Sequence, residues 1–194
     1  MDESYGTITF CDVDWTLFET TANVIVRDTN GVVRRKLNPI EYNTYVRQPD
    51  EVMDYREFTD AGLFMRTAKP IQKMVDEACG ILNSISTEDM FVVLTARGAF
   101  DRPDVFKATF GLYSIPITNI HWEFCGDIKI SPTWLRKTLY AQYHLSRLTP
   151  WKHAVMFEDS EENLNGFLKL KQFHPKTQFH GYLIRDGEIH VYQS

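Results

Sequence analysis

Residues 7–18 read Thr-Ile-Thr-Phe-Cys-Asp-Val-Asp-Trp-Thr-Leu-Phe, an apolar and β-branched run that leads into two aspartates and a threonine. Residues 8–11 are typical of a buried strand. In open α/β sheets, ligands bind just beyond the carboxyl ends of the strands, which is where Asp12, Asp14 and Thr16 fall. Two carboxylates this close together repel each other unless a cation lies between them. The stretch therefore predicts a divalent cation site at the end of a strand.

The rest of the chain alternates the patterns of strands and helices. Further strands are predicted at residues 91–94, 117–124, 154–157 and 178–185, with an edge strand or terminal hairpin at 188–192. Helices are predicted at residues 71–82, 104–113, 132–145 and 161–173. Such alternation implies βαβ crossovers and a parallel sheet covered on both faces. The predicted fold class is α/β, a Rossmann-like three-layer α/β/α arrangement with a central, mainly parallel sheet.

An insertion follows the acidic motif. Residues 23–37 hold two β-branched runs around Asn30-Gly31, which is the strongest short-range signal of a hairpin. Residues 38–69 carry proline breakers and scattered aromatic residues without a long period, so short helices and loops are expected there. We therefore expect a single domain over residues 1–194, with a β-hairpin flap and a small cap inserted at about residues 18–69.

Length, net charge and cysteine content limit the classes of protein to which the chain can belong. A chain of 194 residues that is 43% hydrophobic supports one sizeable core. Its formal charge of −5 argues against a broad, positively charged surface that binds nucleic acid. The three cysteines are odd in number and far apart, which favours a reducing compartment over a disulfide framework.

Neither a membrane span nor a signal peptide is predicted. No apolar run approaches the length of about 18 residues that crosses a bilayer, and residues 1–4 are acidic, unlike a signal peptide. We expect a cytoplasmic protein without a membrane partner.

Two later strand ends carry polar groups suited to the same site. Thr95 and Arg97 follow residues 91–94, where a hydroxyl, loop amides and a guanidinium can bind phosphate oxygens. Glu158 and Asp159 follow residues 154–157. An acidic pair at that place is also an ordinary helix cap, but its position matches that of the first aspartates.

These residues together resemble the haloacid dehalogenase (HAD) superfamily of phosphohydrolases. Asp12-Val-Asp-Trp-Thr16 is similar to the first motif of the family, Asp-x-Asp-x-Thr, and Thr95 is similar to the hydroxyl of the second motif. Glu158-Asp159 resembles the acidic fourth motif. The third motif is a lysine without rigid spacing, for which Lys137 is our choice and Lys129 the competitor.

The resemblance implies a phosphatase mechanism with an aspartyl-phosphate intermediate. Asp12 would be the nucleophile, and Asp14 would protonate the leaving oxygen and later deprotonate water. Thr95 and Lys137 would bind the transferred phosphoryl group, while Thr16 would support the loop.

The resemblance also implies a Mg²⁺ ion. Asp12, the main-chain carbonyl of Asp14 and Asp159 would hold it, with water completing the shell. Glu158 or Asn163 would orient that water, which makes Glu158 a further candidate of the metal site.

Substrate choice in this family lies largely in the inserts over the site. The small insertion leaves room for a nucleotide, a nucleotide signal or a nucleic-acid 3′ end. Trp15 replaces the glycine frequent in the family, and its indole either contacts the substrate or packs under the flap. The further candidates for substrate binding are basic or aromatic: Arg34, Arg66, Arg97, Tyr42, Tyr45, Tyr55, Phe58 and Phe64.

The short format and the flap look similar to small phage-encoded members of the superfamily and to the phosphatase part of polynucleotide kinase-phosphatases. If the chain is phage-encoded, the expected location is the host cytoplasm. The leading hypothesis is a Mg²⁺-dependent phosphatase acting on a small nucleotide-like phosphate.

Two alternatives belong to other classes of protein. One is a non-catalytic nucleotide- or phosphate-binding module on the same fold, although binding alone has no evident need for Asp14. The other is a response-regulator receiver, whose acceptor aspartate would lie on a later strand, where this chain has Thr95.

Overall fold

The computed structural model describes residues 5–147 and 151–193, so the acidic residues 1–4 lie outside the described part. The strands are β1 (Tyr5–Cys11), β2 (Phe18–Glu19), β3 (Val24–Asp28), β4 (Val33–Leu37), β5 (Glu51–Asp54), β6 (Lys69–Pro70), β7 (Met90–Thr95), β8 (Ile120–Phe124), β9 (Trp151–Glu158), β10 (Gln178–Arg185) and β11 (Glu188–Tyr192). The α-helices are α1 (Pro39–Thr44), α2 (Ala61–Thr67), α3 (Gln72–Ser84), α4 (Pro103–Leu112), α5 (Thr133–Arg147) and α6 (Glu161–Leu168).

A six-stranded sheet in the order β11-β10-β9-β1-β7-β8 forms the centre of the fold. Its strands are parallel except for β11, which pairs antiparallel with β10 at the edge. The register sets Cys11 opposite both Val93 of β7 and Phe157 of β9. Three neighbouring strands therefore end side by side, and the loops that follow them converge.

Helices cover both faces of this sheet, as the continuous apolar strands predict. Val93 of β7 packs in one apolar cluster with residues of α3 and α4, such as Met74 and Phe106. Phe10 of β1 packs in the other cluster with residues of α5 and α6, such as Phe167. The predicted three-layer α/β/α arrangement is confirmed.

The insertion folds as a small antiparallel sheet beside the site. Strand β3 pairs with β4 in the expected hairpin and also with β5. The strand β5 was not predicted within residues 38–69, because Glu-Val-Met-Asp is too short for a periodic signal and its conformation depends on pairing with β3. Strands β2 and β6 pair at the base of the insertion, where the chain leaves and re-enters the main domain.

Several element ends differ from the sequence prediction. Residues Ile117–Asn119 form a turn of 3₁₀ helix rather than the start of β8. The helix predicted to extend to residue 173 ends as α6 at Leu168 and continues as a 3₁₀ helix over Lys169–Gln172. All three cysteines are free thiols. Within residues 5–147 and 151–193, no helix has the length and apolar character needed to cross a membrane.

Candidate active site

Asp12 begins the loop after β1 and lies at the centre of a buried cluster of charges. Its backbone amide donates to the carbonyl oxygen of Phe157 at 3.1 Å, which fixes the start of the loop against β9. Lys137 of α5 reaches it from the other side of the sheet, with Nζ 2.6 Å from Oδ1 of Asp12 and 2.7 Å from Oε2 of Glu158. All three side chains are buried.

The structure distinguishes between the two candidate lysines. Lys137 lies in the cluster, whereas Lys129 is exposed in the segment between β8 and α5. Burial favours the neutral amine, but the charges of Asp12 and Glu158 outweigh it and raise the pKa of Lys137. Lys137 therefore stays an ammonium ion and offsets part of the negative charge around it.

The carboxylate cluster keeps an excess of negative charge beyond the ammonium of Lys137, which suits a bound metal ion. Carboxylate oxygens of Asp12, Glu158 and Asp159 lie within 4.8 Å of one another, so three carboxylates face the single ammonium of Lys137. Burial and repulsion by Glu158 raise the pKa of Asp12 to about 7. Burial and the same repulsion also raise the pKa of Asp159, which lies at the solvent-exposed side of the cluster. Hard oxygen ligands with excess negative charge suit Mg²⁺.

Asp14 is held by two side chains of different elements. The guanidinium of Arg97 donates from Nε to Oδ2 at 2.9 Å and from Nη2 to Oδ1 at 2.6 Å, and the hydroxyl of Thr20 donates to Oδ1 at 2.6 Å. Burial alone would raise the pKa of Asp14, but the charge and hydrogen bonds of Arg97 and Thr20 bring it below its ordinary value. These contacts favour the carboxylate, the form that accepts a proton from water.

Arg97 has a different place from the one predicted for a substrate-binding residue. Its side chain is buried, and its guanidinium carbon lies 5.2 Å from the ring centroids of both Phe58 and Phe64 and 5.6 Å from that of Phe100. Nη1 also donates to the carbonyl oxygen of Phe58 at 3.0 Å. Arg97 therefore orients Asp14, and its contact with a substrate stays a prediction.

The loop after β7 is fixed by close packing. Thr95 is buried, and its hydroxyl oxygen accepts from the amide of Arg97 at 3.2 Å. Gly126, beyond β8, donates its amide to the carbonyl oxygen of Arg97 at 3.0 Å. A Cβ at Gly126 would lie 2.4 Å from the amide nitrogen of Gly98 and 2.5 Å from the carbonyl oxygen of Ala96. Only glycine allows the two loops to approach this closely.

Trp15 and Thr16 complete the first motif. Trp15 has a positive φ of 59°, and its amide donates to the carbonyl oxygen of Phe18 at 2.7 Å, which closes a tight turn. The residue as a whole is 38% exposed. Thr16 is fully buried, and its hydroxyl has no hydrogen-bond partner within the described residues. The supporting role of Thr16 and the substrate contact of Trp15 stay predictions.

The other predicted site residues lie apart from the carboxylate cluster or in supporting positions. Arg34 of β4 forms an ion pair with Asp50, with Nη2 2.7 Å from Oδ2, and Arg66 lies on α2. In the part of the chain that the structure describes, no hydrogen bond or ion pair joins either arginine to the cluster. Asn163 is buried in α6, and its backbone amide donates to the hydroxyl oxygen of Ser160.

Sequence reasoning missed two residues of this region. Thr20, which binds Asp14, directly follows the two-residue strand β2 and carries no motif signal. Arg136 directly precedes Lys137 on α5, but one arginine within a helical pattern does not distinguish itself from a solvated side chain.

A cavity of the main domain lies away from the carboxylate cluster. It has a volume of about 610 Å³ and runs between α3 and the sheet, lined by residues that include Thr7, His153 and His180. None of the residues of the carboxylate cluster lines it. The carboxylate cluster is therefore separate from this cavity.

Comparison with solved structures gives the class of fold. The HAD domain of the effector protein Lem4 from Legionella pneumophila, as an inactive mutant, superposes with a TM-score of 0.56 at 11% identity, covering 94% of this chain and 88% of that chain. Another structure of the Lem4 HAD domain gives 0.53 at 13% identity, covering 94% and 89%. The L. pneumophila effector Ceg4 gives 0.53 at 13% identity, covering 97% and 90%.

These likenesses show that the chain has the fold of a HAD domain. No protein-family model and no curated protein matches the sequence. At such low identity the comparison extends to the fold alone, so the chemistry has to be argued from the residues of the site.

Proposed function

We propose that this protein is a Mg²⁺-dependent phosphatase that works through an aspartyl-phosphate at Asp12. The observation that carries the proposal is the cluster in which the Nζ atom of Lys137 lies 2.6 Å from Asp12 and 2.7 Å from Glu158, with the carboxylate of Asp159 beside them. On a HAD fold this cluster stands at the carboxyl ends of β1 and β9, where α/β sheets bind ligands.

In the first step, a carboxylate oxygen of Asp12 forms a bond to phosphorus while the bond from phosphorus to the leaving oxygen breaks. Lys137 holds Oδ1 of Asp12, whereas Oδ2 accepts no hydrogen bond within the described residues. Oδ2 is therefore the oxygen that we assign to the attack. The ammonium of Lys137 also stabilises negative charge on the transferred phosphoryl group.

In the second step, water attacks the phosphorus of the aspartyl-phosphate, which releases phosphate and restores Asp12. Asp14 takes the proton of that water, and the contacts from Arg97 and Thr20 hold it in the carboxylate form that this transfer needs. In the first step Asp14 acts, in its protonated form, as the acid that protonates the leaving oxygen, so its lowered pKa favours its role in the second step over its role in the first.

The metal ion would be held by Asp12, the main-chain carbonyl of Asp14 and Asp159. When bound, Mg²⁺ supplies Lewis-acid stabilisation of the phosphoryl oxygens. Glu158 accepts from Lys137 and is placed to position this ammonium.

We further propose that the substrate is a small nucleotide-like phosphate. A phosphorylated 3′ end of a nucleic acid is a larger substrate with the same kind of phosphate ester. The proposal rests on the resemblance to small phage-encoded phosphohydrolases and to the phosphatase part of polynucleotide kinase-phosphatases. Tyr55 of the cap supports it, because this residue is 46% exposed and its ring can offer a face to a planar group.

Phosphate release tests this function. The panel comprises nucleoside monophosphates, cyclic and ribosylated nucleotides, 3′-phosphorylated oligonucleotides and sugar phosphates, each with Mg²⁺ and with EDTA. We expect Mg²⁺-dependent release from a nucleotide-like member. Asp12→Asn should abolish it, whereas Asp186→Asn, in the β10–β11 turn, should retain it. Full Mg²⁺-dependent turnover by the Asp12→Asn variant would rule out the mechanism.

The alternative is a nucleotide- or phosphate-binding module without turnover. The bidentate contact between Arg97 and Asp14 is the observation that favours it, since it disfavours the protonated carboxyl group that the first step uses. Tight binding of one nucleotide without hydrolysis of any substrate in the panel would establish this alternative.

A further inference from the structure

Arg136 is a half-buried cation one residue before Lys137. Its Nη2 donates to the hydroxyl oxygen of Thr133 at 2.9 Å, and its Nη1 donates to the carbonyl oxygen of Gly126 at 3.3 Å. Both acceptors are neutral. The guanidinium is thus held in place without a counter-ion from either contact.

Within residues 5–147 and 151–193, no carboxylate forms an ion pair with Arg136. Its Nε is buried and has no hydrogen-bond partner in that part of the chain. A guanidinium carries five N–H donors, of which two are used here. A partly desolvated charge with unused donors is stabilised by an anion that enters from solvent.

Two connections relate Arg136 to the candidate phosphoryl site. Along the chain, it adjoins Lys137, which binds Asp12. Across the fold, its acceptor Gly126 packs against the loop after β7, through the hydrogen bond to Arg97 and the close approach to Gly98.

The cap presents an aromatic surface to the same region. The hydroxyl groups of Tyr42 and Tyr55 lie 2.8 Å apart, and their rings meet edge to face at 5.9 Å between centroids. Burial and the hydrogen bond with Tyr42 raise the pKa of Tyr55 to about 12, while the positive charges of Arg47 and Arg136 oppose the rise. A chain of hydrogen bonds also links Arg136 to Tyr55: Arg136 donates to Gly126, Gly126 to Arg97, Arg97 to Phe58, and Phe58 to Tyr55.

We propose that Arg136 binds a second phosphate of the substrate, distinct from the phosphoryl group that Asp12 attacks, with Tyr55 in contact with the organic part between them. The inference rests on the proposed function and refines it, because it selects bisphosphorylated nucleotide-like compounds over monophosphates. Arg136 is then the residue that determines this preference.

The test compares hydrolysis of the 3′ phosphoester bond in a nucleoside 3′,5′-bisphosphate and in the matching 3′-monophosphate, which differ only in the 5′ phosphate. The wild-type protein should favour the bisphosphate in kcat/KM by at least about tenfold, the size expected for hydrogen bonds to a charged group. Arg136→Gln should lose this preference mainly through KM, and Arg136→Lys should keep part of it. Arg147→Gln, at the other end of the same helix, is the matched control and should keep all of it.

Binding of the same two compounds, measured by calorimetry, separates this inference from the proposed function. If neither compound is hydrolysed but the wild-type protein binds the bisphosphate at least about tenfold more tightly than Arg136→Gln does, the subsite stands and the phosphatase proposal fails. Equal preference in the wild type and Arg136→Gln overturns the subsite, as does a wild type without preference. If Arg136→Gln does not fold, Arg136→Lys takes its place. Either of two results then overturns the subsite: Arg136→Lys prefers the bisphosphate as strongly as the wild type does, or the wild type has no preference.

Discussion

Arg97 binds Asp14 through both oxygens of the carboxylate, with Nε 2.9 Å from Oδ2 and Nη2 2.6 Å from Oδ1. The two residues are 83 positions apart in the chain, and their pairing joins the first motif to the loop after β7. The guanidinium is almost fully buried among aromatic rings. Asp14 is thus oriented by the interior of the protein rather than by solvent.

Breaking this pair should destabilise the protein. Arg97→Gln leaves the partly buried carboxylate of Asp14 without its counter-ion, so we expect the free energy of unfolding to fall by about 3 kcal/mol. Asp14→Asn combined with Arg97→Gln removes both charges and should cost less than the sum of the two single changes. Urea denaturation of the four proteins measures this coupling. Additivity to within about 0.5 kcal/mol would show that the pair contributes no interaction energy.

Stability without metal should fall as the pH rises. The pKa of Asp12 is raised from 3.8 to about 7, so the folded protein binds a proton more tightly than the unfolded chain does between these values. Each proton bound in excess by the folded state gives a slope of about 1.4 kcal/mol per pH unit. Urea denaturation in EDTA across this window should show the fall, and Asp12→Asn should make it shallower. If the difference in the free energy of unfolding between the wild type and Asp12→Asn did not change with pH, the raised pKa could not belong to Asp12.

Magnesium should reverse this loss. Binding to the folded protein alone stabilises it, by about 2.7 kcal/mol when the free ion is at one hundred times its dissociation constant. Because Mg²⁺ competes with protons for Asp12 and Asp159, the rise in melting temperature should be larger at pH 8 than at pH 6. Asp159→Asn should reduce the rise, whereas Asp186→Asn should leave it intact. An equal rise in both variants would place the ion elsewhere.

Gly126 should not accept a side chain. A Cβ there would overlap backbone atoms of Gly98 and Ala96, so Gly126→Ala should displace the loop after β7 and lower stability by about 1–3 kcal/mol. Gly111→Ala is the control, since a methyl group at this position of α4 would meet no neighbouring atom within 4 Å, and alanine raises helix stability by up to about 1 kcal/mol. Thermal unfolding and phosphate release by the two variants provide the comparison. Similar behaviour of both would mean that the close approach has no structural importance.

Two substitutions of Trp15 should separate the effect of its strained backbone from the effect of losing its indole. Its φ of 59° is unfavourable for a residue with a side chain, by roughly 1–2 kcal/mol. Trp15→Gly and Trp15→Ala both remove the ring, but only glycine relieves the backbone. We therefore expect the glycine variant to be more stable than the alanine variant by about 1 kcal/mol, measured by denaturation. Equal stabilities would indicate that the turn accommodates this conformation without strain.

The sequence predicts the site best where it depends on strand ends. Asp12, Thr95 and Glu158 each follow an apolar run, and parallel strands bring such ends to one edge of the sheet. Lys137 could be chosen over Lys129 because it lies within a helical pattern. These features are local in sequence, so a pattern of a few residues is enough to find them.

The partners of Asp14 could not be predicted in the same way. Thr20 binds it only because the turn at residues 15–18 folds the chain back on the first motif before the insertion begins, and Arg97 turns inward because three aromatic rings receive its guanidinium. Strand β5 likewise exists through its pairing with β3. Such contacts depend on how distant segments pack, which a periodic pattern does not encode.

The insertion has an apolar cluster of its own, made of Val24, Val26 and Leu37 and separate from the two clusters on the main sheet. A unit with so few buried residues opens locally at a lower free energy than the whole domain unfolds. Changes on the outer surface of β3–β5 therefore act first on this separate unit rather than on the packing of the main sheet. If the proposed function holds, an engineer could alter which substrates reach the carboxylate cluster by rebuilding β3–β5 while keeping Phe58, whose carbonyl oxygen binds Arg97.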